Sequence, residues 1–260
     1  MKIGFTLKPK DGNIEDFEKQ IEDLEKIGAE SAEIPLYELD VVCGKKIIKD
    51  ELKLLNKFTL KSNLKFSIHG SMSVNLLDED YLEEHLQVLE KEIQVCSDLN
   101  IKILVTHFGH TSVATSQNQK KYNDLINIQK QKYFEMAEIA KVHGVKLCIE
   151  NIFPYTNLHF TALPSEVSES IREINHPNAR TTIDFSHAYI NCNLRKKDLI
   201  PEIETMIPFT EHLHVHDSFG KFKTMYTYIF AEDITYGQGD IHLPLGWGDI
   251  PFDKIFSAGA

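Results

Sequence analysis

Five apolar runs in this chain end on a histidine or a carboxylate. They read Ile68-His69-Gly70, Thr106-His107-Phe108-Gly109-His110, Ile149-Glu150-Asn151, Ile183-Asp184-Phe185-Ser186-His187 and His212-Leu213-His214-Val215-His216-Asp217. Imidazole nitrogens and carboxylate oxygens are the donors that Zn, Mn, Fe and Co ions take. None of the four cysteines falls at these positions, which argues against a structural cysteine-rich zinc site. A single strand-end histidine is ordinarily a hydrogen-bonded structural residue, but five such ends in succession ask for a common cause. Lys and Arg are scarce beside them, and clustered ligand-type groups repel or stay neutral unless a metal compensates. Glu150 is central in chain order, so its carboxylate could bridge two ions. His212, His214 and His216 alternate along one strand and share a face. They rise along that strand, so His214 is the best-placed ligand, with His212 deeper and His216 reaching solvent or substrate.

The elements that must position these residues follow from the pattern of apolar residues. Strands are expected at Lys2–Leu7, Ser31–Leu36, Lys65–His69, Lys102–His107, Lys146–Asn151, Arg180–Phe185 and Glu211–His216. Helices are expected near Ile14–Ile27, Lys46–Lys61, Tyr81–Leu99, Asn123–His143, Ser165–Ile174 and Leu199–Ile207. In Tyr81–Leu99, Leu82, Leu86, Leu89, Ile93 and Cys96 form one buried stripe. Asp78 and Asn123 are candidate N-caps, and Gly28 and Gly144 candidate C-terminal caps. Seven βα repeats without a linker point to an α/β TIM (β/α)8 barrel, whose chemistry sits at the C-terminal ends of the strands. No G-x-G-x-x-G follows any strand, which removes the support for a dinucleotide-binding sheet. No eighth strand is visible, so residues 1–260 read as one barrel domain truncated at its C-terminus, or completed by a neighbouring subunit in a homo-oligomer. Ser218–Ile250 lacks clear periodicity, and loops of that length are usually functional.

Composition narrows the classes further. The 260 residues carry 28 Lys+Arg against 39 Asp+Glu, a net charge of −11, which argues against broad nucleic-acid affinity. No apolar run approaches the roughly 20 residues of a membrane span, and the N-terminus reads as a strand, not a signal peptide. Cys43, Cys96, Cys148 and Cys192 lie far apart with no C-x-x-C, as expected of reduced thiols in a cytoplasmic protein. Phe219, Phe222, Tyr226, Tyr228, Phe230 and Tyr236 crowd the seventh loop with only Lys221 and Lys223 as cations. Such a lid suits stacking on a sugar, or forms a small aromatic core. Arg195-Lys196-Lys197 could contact a phosphate or simply be solvated.

The motifs resemble the xylose-isomerase-like TIM-barrel superfamily, which holds sugar isomerases, sugar-phosphate epimerases, related dehydratases and endonuclease IV. The resemblance covers nearly the whole chain. His69-Gly-Ser-Met-Ser-Val-Asn75-Leu76, Thr106-His107-Phe108-Gly109, Glu150-Asn151, Asp184-Phe-Ser-His187 and His214-Val-His-Asp217-Ser218 are similar to endonuclease IV's metal segments. Asp240-Ile-His242-Leu-Pro-Leu245-Gly246-Trp-Gly248-Asp-Ile250 follows its Asp-x-His-x-x-Leu-Gly-x-Gly-x-Ile spacing. The resemblance implies one to three divalent ions per chain: one on His69, His107 and Glu150, a second on Glu150, Asp184 and His214, a third on His187, Asp240 and His242. The family's strand-8 Glu has no counterpart here. Where endonuclease IV carries the side chains that open DNA, this chain has Met72 and Ser73.

The function expected on these grounds is a metal-dependent isomerase or epimerase of a sugar or sugar phosphate. The ion would polarise a carbonyl and the proton would pass through an enediolate. Glu150 would be ligand and acid/base, with His187 or His216 steadying the oxyanion or ferrying the proton. The alternative is an endonuclease IV-like multinuclear phosphodiesterase acting on abasic DNA, for which the trio His187, Asp240 and His242 speaks. A barrel that binds without chemistry is the third reading.

Overall fold

The computed structural model describes residues 2–258. Seven parallel strands alternate with helices: β1 Gly4–Thr6, β2 Ser31–Pro35, β3 Lys65–His69, β4 Ile103–His107, β5 Lys146–Glu150, β6 Ala179–Asp184 and β7 Thr210–His214. They form one sheet in sequential order. All seven expected strands are present, with ends moved by one or two residues. The sheet curls on itself: Glu33 on β2 reaches His212 on β7, 2.9 Å away, although four strands lie between them in the sheet. Among the described residues β1 and β7 do not pair, so the barrel is open there, as the missing eighth strand predicts. Phe5 on β1 is 53% exposed and Val215, just past β7, is 40% exposed, which leaves an uncovered seam.

Helices cover the outer face: α1 Asp16–Lys26, α2 Lys49–Lys61, α3 Leu82–Asp98, α4 Gln119–Val142, α5 Pro164–Ile174, α6 Phe185–Arg195 and α7 Leu199–Met206. The α3 stripe packs as its spacing predicts, with Leu86, Leu89, Ile93 and Cys96 buried between helix and sheet. Gly28 and Gly144 both take positive φ just past α1 and α4. Asn123 is not a cap. Helix α4 begins four residues earlier, where Asn118 accepts from the Lys121 N–H. The polar residues of its first turn hide the start from an apolar-periodicity reading. Helix α6 was not anticipated at all. It starts directly from β6, because the Asp184 side chain accepts the His187 N–H at 2.8 Å and caps the first turn. The segment after β7 holds a further helix, Phe230–Tyr236.

Register brings the strand ends to a common rim. His107 pairs with Glu150, Glu150 with Thr182, and Asp184 with His214. Parallel pairing with period-two alternation turns all of these side chains into the lumen.

Candidate metal centre

Glu150, 1% exposed, is the hub. Its Oε2 lies 3.3 Å from His69 Nε2 and 3.6 Å from His107 Nε2, yet has no hydrogen-bond partner. The reason lies on the other side of each ring. His69 Nδ1 is 2.9 Å from the Gly70 carbonyl and His107 Nδ1 is 3.1 Å from the Met72 carbonyl. A carbonyl only accepts, so each Nδ1 carries a proton and each ring turns its Nε2 to Glu150; against its burial, Glu150 and Glu33 raise the His69 pKa. His107 Nε2 and Glu150 Oε2 face each other with no proton between them, which is costly in a buried site, and a cation would take the place of a proton on His69 Nε2. Zinc-type bonds of about 2.0–2.1 Å place tetrahedral donors about 3.3–3.4 Å apart, so the residues present fit a divalent cation. Burial, only partly offset by Glu150, pulls the His107 pKa down to about 3, keeping it a neutral donor.

One short loop sets both rings, and α3 pins that loop. The Ser71 N–H donates to Glu92 Oε1 at 2.7 Å. A Cβ on Gly70 would sit 2.5 Å from Glu92 Oε2, so a side chain there would have to displace the Glu92 carboxylate. The Tyr133 hydroxyl donates to the His107 carbonyl at 2.5 Å and steadies the next strand end. Glu92 was not expected from sequence, being one of several carboxyls on α3. Burial raises its pKa, and its Oε2 has no partner. A carboxyl with a raised folded-state pKa contributes stability below its unfolded value of about 4.3, lost as pH rises through the raised value. Glu92→Gln keeps an acceptor for Ser71 and removes that titration. Its melting temperature at pH 8 is therefore expected to equal or exceed wild type; a lower one contradicts this account.

Glu150 Oε1 faces the other side of the lumen, 3.1 Å from His214 Nδ1 and 3.2 Å from His187 Nδ1. Asp184 Oδ2 is 2.9 Å from His216 Nε2 and 3.8 Å from His214 Nδ1. Against the burial penalty, His214 and His187 hold the Glu150 carboxyl well below its usual range. Burial alone would lower the His187 and His214 pKa values. Asp184 and Asp240 instead hold His187 well up, and Glu33 and Glu150 do so for His214. Among the described residues, every ion-pair partner of Glu33, Glu150, Asp184 and Asp240 is a histidine.

Of the third expected trio, Asp240 touches both partners, but the groups whose donor atoms all lie close to one another are His216, Asp240 and His242, and Glu150, Asp184 and His187. Asp240 Oδ2 is 3.2 Å from His187 Nε2 and 2.7 Å from His242 Nε2, while Ser186 Oγ donates to Asp240 Oδ1 at 2.8 Å. His216 joins it, stacked on His242 with ring centroids 3.9 Å apart and Nδ1 3.7 Å from Asp240 Oδ1. His216 is therefore not a solvent-facing residue: its side chain is only 12% exposed. Asp217 holds this loop in place. Its carboxylate accepts the N–H groups of Ser218, Gly246, Gly248 and Ile250.

Glu33 and His212 were missed as part of the lumen network. The visible signal was a single carboxylate inside the apolar run Ala32-Glu33-Ile34. Tyr226, Tyr228, Phe230 and Tyr236 are exposed and form no buried aromatic core. Arg195 lies over the Phe160 ring at 4.8 Å and reaches Glu166 at 3.5 Å, so that guanidinium is engaged within the fold. No helix among the described residues is long and apolar enough to cross a membrane.

A 3-dehydroshikimate dehydratase of Bacillus anthracis is 26% identical over 188 residues, covering 68% of this chain. The match spans 61% of that relative's length. A D-allulose 3-epimerase from Methylomonas sp. in complex with D-allulose superposes with a TM-score of 0.69 at 14% identity, over 99% of this chain and 79% of the other. A Mycobacterium smegmatis protein in complex with magnesium superposes with a TM-score of 0.66 at 14% identity, over 99% and 85%. A family model described as a xylose isomerase-like TIM barrel matches residues 21–258. With seven parallel strands, a rim of histidines and carboxylates at their C-terminal ends, and that match, the chain belongs to the xylose isomerase-like TIM barrel family.

Proposed function

We propose that the protein is a divalent-metal-dependent isomerase or epimerase of a sugar or sugar phosphate. The observation that carries this reading is the convergence of His69 Nε2, His107 Nε2 and Glu150 Oε2, backed by Asp184 and His214 across the same carboxylate. These residues would hold the cation, which when bound supplies a Lewis acid for a substrate carbonyl. The remaining work falls to the rim. His216 is held through Nε2 by Asp184, which raises its pKa against burial, and would be the group that exchanges a proton with the carbon beside the carbonyl. Returning that proton to the same enediolate at another carbon or face completes isomerisation or epimerisation, with no net change of protons. His187, fixed through Nδ1 by the Asn151 carbonyl at 3.0 Å, steadies the oxyanion. Glu150 serves as ligand and as a second acid/base group. Among the described residues the rim carboxylates have no Lys or Arg partner, which fits a small polyhydroxylated substrate better than a phosphodiester backbone. The epimerase and dehydratase names of the relatives support the same class.

The test is a panel of ketoses, aldoses and their phosphates incubated with metal-loaded protein in deuterium oxide. Stereospecific solvent deuterium incorporation into one of them is expected, and none in any of them would overturn the reading. Loading is also expected to release about one proton or more per chain at pH 7, because the carboxylates hold His187 and His214 protonated without metal. Cation affinity therefore rises between pH 6 and pH 8. Calorimetry in buffers of different ionisation enthalpy measures the release; binding without it would contradict these protonation states.

A second reading rests on one observation, the meeting of His187, Asp240 and His242 at one carboxylate oxygen. A one-metal isomerase does not require it, whereas a multinuclear phosphodiesterase does. Three ions per chain together with cleavage of abasic DNA would favour that reading.

A further inference from the structure

His214 has a carboxylate on each side of its ring, and the two sides differ in kind. Nδ1 faces Glu150 at 3.1 Å and Asp184 at 3.8 Å, the pair proposed to share a cation. Nε2 faces only Glu33, 3.1 Å from Oε1 and 3.3 Å from Oε2. Glu33 lies deeper, 6% exposed, and is ringed by donors: His212 Nε2 at 2.9 Å, Ser67 Oγ at 3.2 Å and Thr6 Oγ1 at 3.5 Å. A carboxylate so surrounded is an acceptor, so the proton of the neutral His214 ring belongs on Nε2.

We infer that Glu33 is a positioning residue: it accepts the His214 Nε2–H, fixes that tautomer and aims the Nδ1 lone pair at Glu150 and Asp184. A ligating histidine commonly donates its other ring N–H to a carboxylate or carbonyl, which orients the ring and raises its basicity. In this lumen His69 and His107 use carbonyls and present Nε2, whereas His214 uses Glu33 and presents Nδ1. The difference follows from position. His69 and His107 sit beside the loop after β3, while His214 faces the open seam, where β2 supplies the acceptor from across the barrel.

The inference rests on the proposal that Glu150, Asp184 and His214 hold a cation, and the experiment separates the two. Zinc binding to wild type, Glu33→Gln and His212→Gln is measured by competition with a chromophoric chelator and by metal content after dialysis. The ring nitrogens of His214 are read by 15N NMR in the zinc-loaded wild type, with His214→Gln assigning the signals. The expected result is an unchanged number of ions in Glu33→Gln with about 10–100-fold weaker binding, near wild-type binding in His212→Gln, and a proton on His214 Nε2. Wild type that binds no zinc overturns the metal reading and this inference with it. Wild type that binds, with Glu33→Gln binding equally well, overturns this inference alone. So does loss of one whole ion from both variants, which would make Glu33 and His212 ligands themselves. Should Glu33→Gln fail to fold, the wild-type spectrum still decides, because a proton on His214 Nδ1 contradicts the arrangement.

Discussion

Glu150→Gln is expected to disable the centre more completely than any other single change. The variant replaces one oxygen of the hub by an NH2 donor, while His69, His107, His187 and His214 all face that carboxylate at 3.1–3.6 Å. Cation affinity should fall further than the 10–100-fold typical of an outer partner. Proton exchange into substrate should fall by about 10²–10⁴, the range lost with a general acid or base. Stability of the metal-free protein should change in a pH-dependent way. The raised pKa values of His187 and His214 owe part of their shift to Glu150. Stability from a histidine with a raised pKa is fully present below its unfolded value of about 6.5 and lost as pH rises through the folded value. The melting temperature of Glu150→Gln should therefore fall below wild type by more at pH 6 than at pH 9. Retention of wild-type ion content and affinity would remove Glu150 from the centre of the site.

The second large effect is structural. Asp217→Ala leaves four N–H groups, those of Ser218, Gly246, Gly248 and Ile250, without their carboxylate in a position 1% exposed to solvent. Hydrogen bonds to charged groups contribute about 1.5–3 kcal/mol each. Partial rehydration of a surface loop offsets some of this, so a loss on the order of 3–5 kcal/mol is expected. The loop should open locally, since among the described residues the backbone ties left to β7's extension are the Asp217–Leu243 bridge and the Asp249-to-Ser218 contact. Amide exchange of residues 243–250 should accelerate well beyond that of α3, and the Asp240–His242 pair should lose its register with His187. The Glu150 set, held by β3, β4 and β5, should persist. Unchanged protection across 243–250 would show that the carboxylate is not what fastens this loop.

Much of this architecture was legible from local pattern. The strand ends at His69, His107, Glu150 and Asp184 could be read because a half-buried strand alternates and a helix repeats every three or four residues. Those periods are written in the sequence whatever the chain packs against. The α3 stripe was legible for the same reason. Helix α6 was not, because Asp184 serves both as strand end and as N-cap, and the apolar run continues across the join without a break. The start of α4 was hidden by its polar first turn.

By itself, then, the sequence determined the order of strands and the donor types at their ends, with seven strands among the described residues. The curl of the sheet decided the rest. Only closure of the lumen brings Glu33 of β2 to His212 and His214 of β7, about 180 residues apart in the chain. Only the loop after β3 decides which nitrogen of His69 and His107 carries the proton. Tautomer and ligand direction depend on what stands on the far side of each ring. That neighbour comes from a different strand, and no local period encodes it.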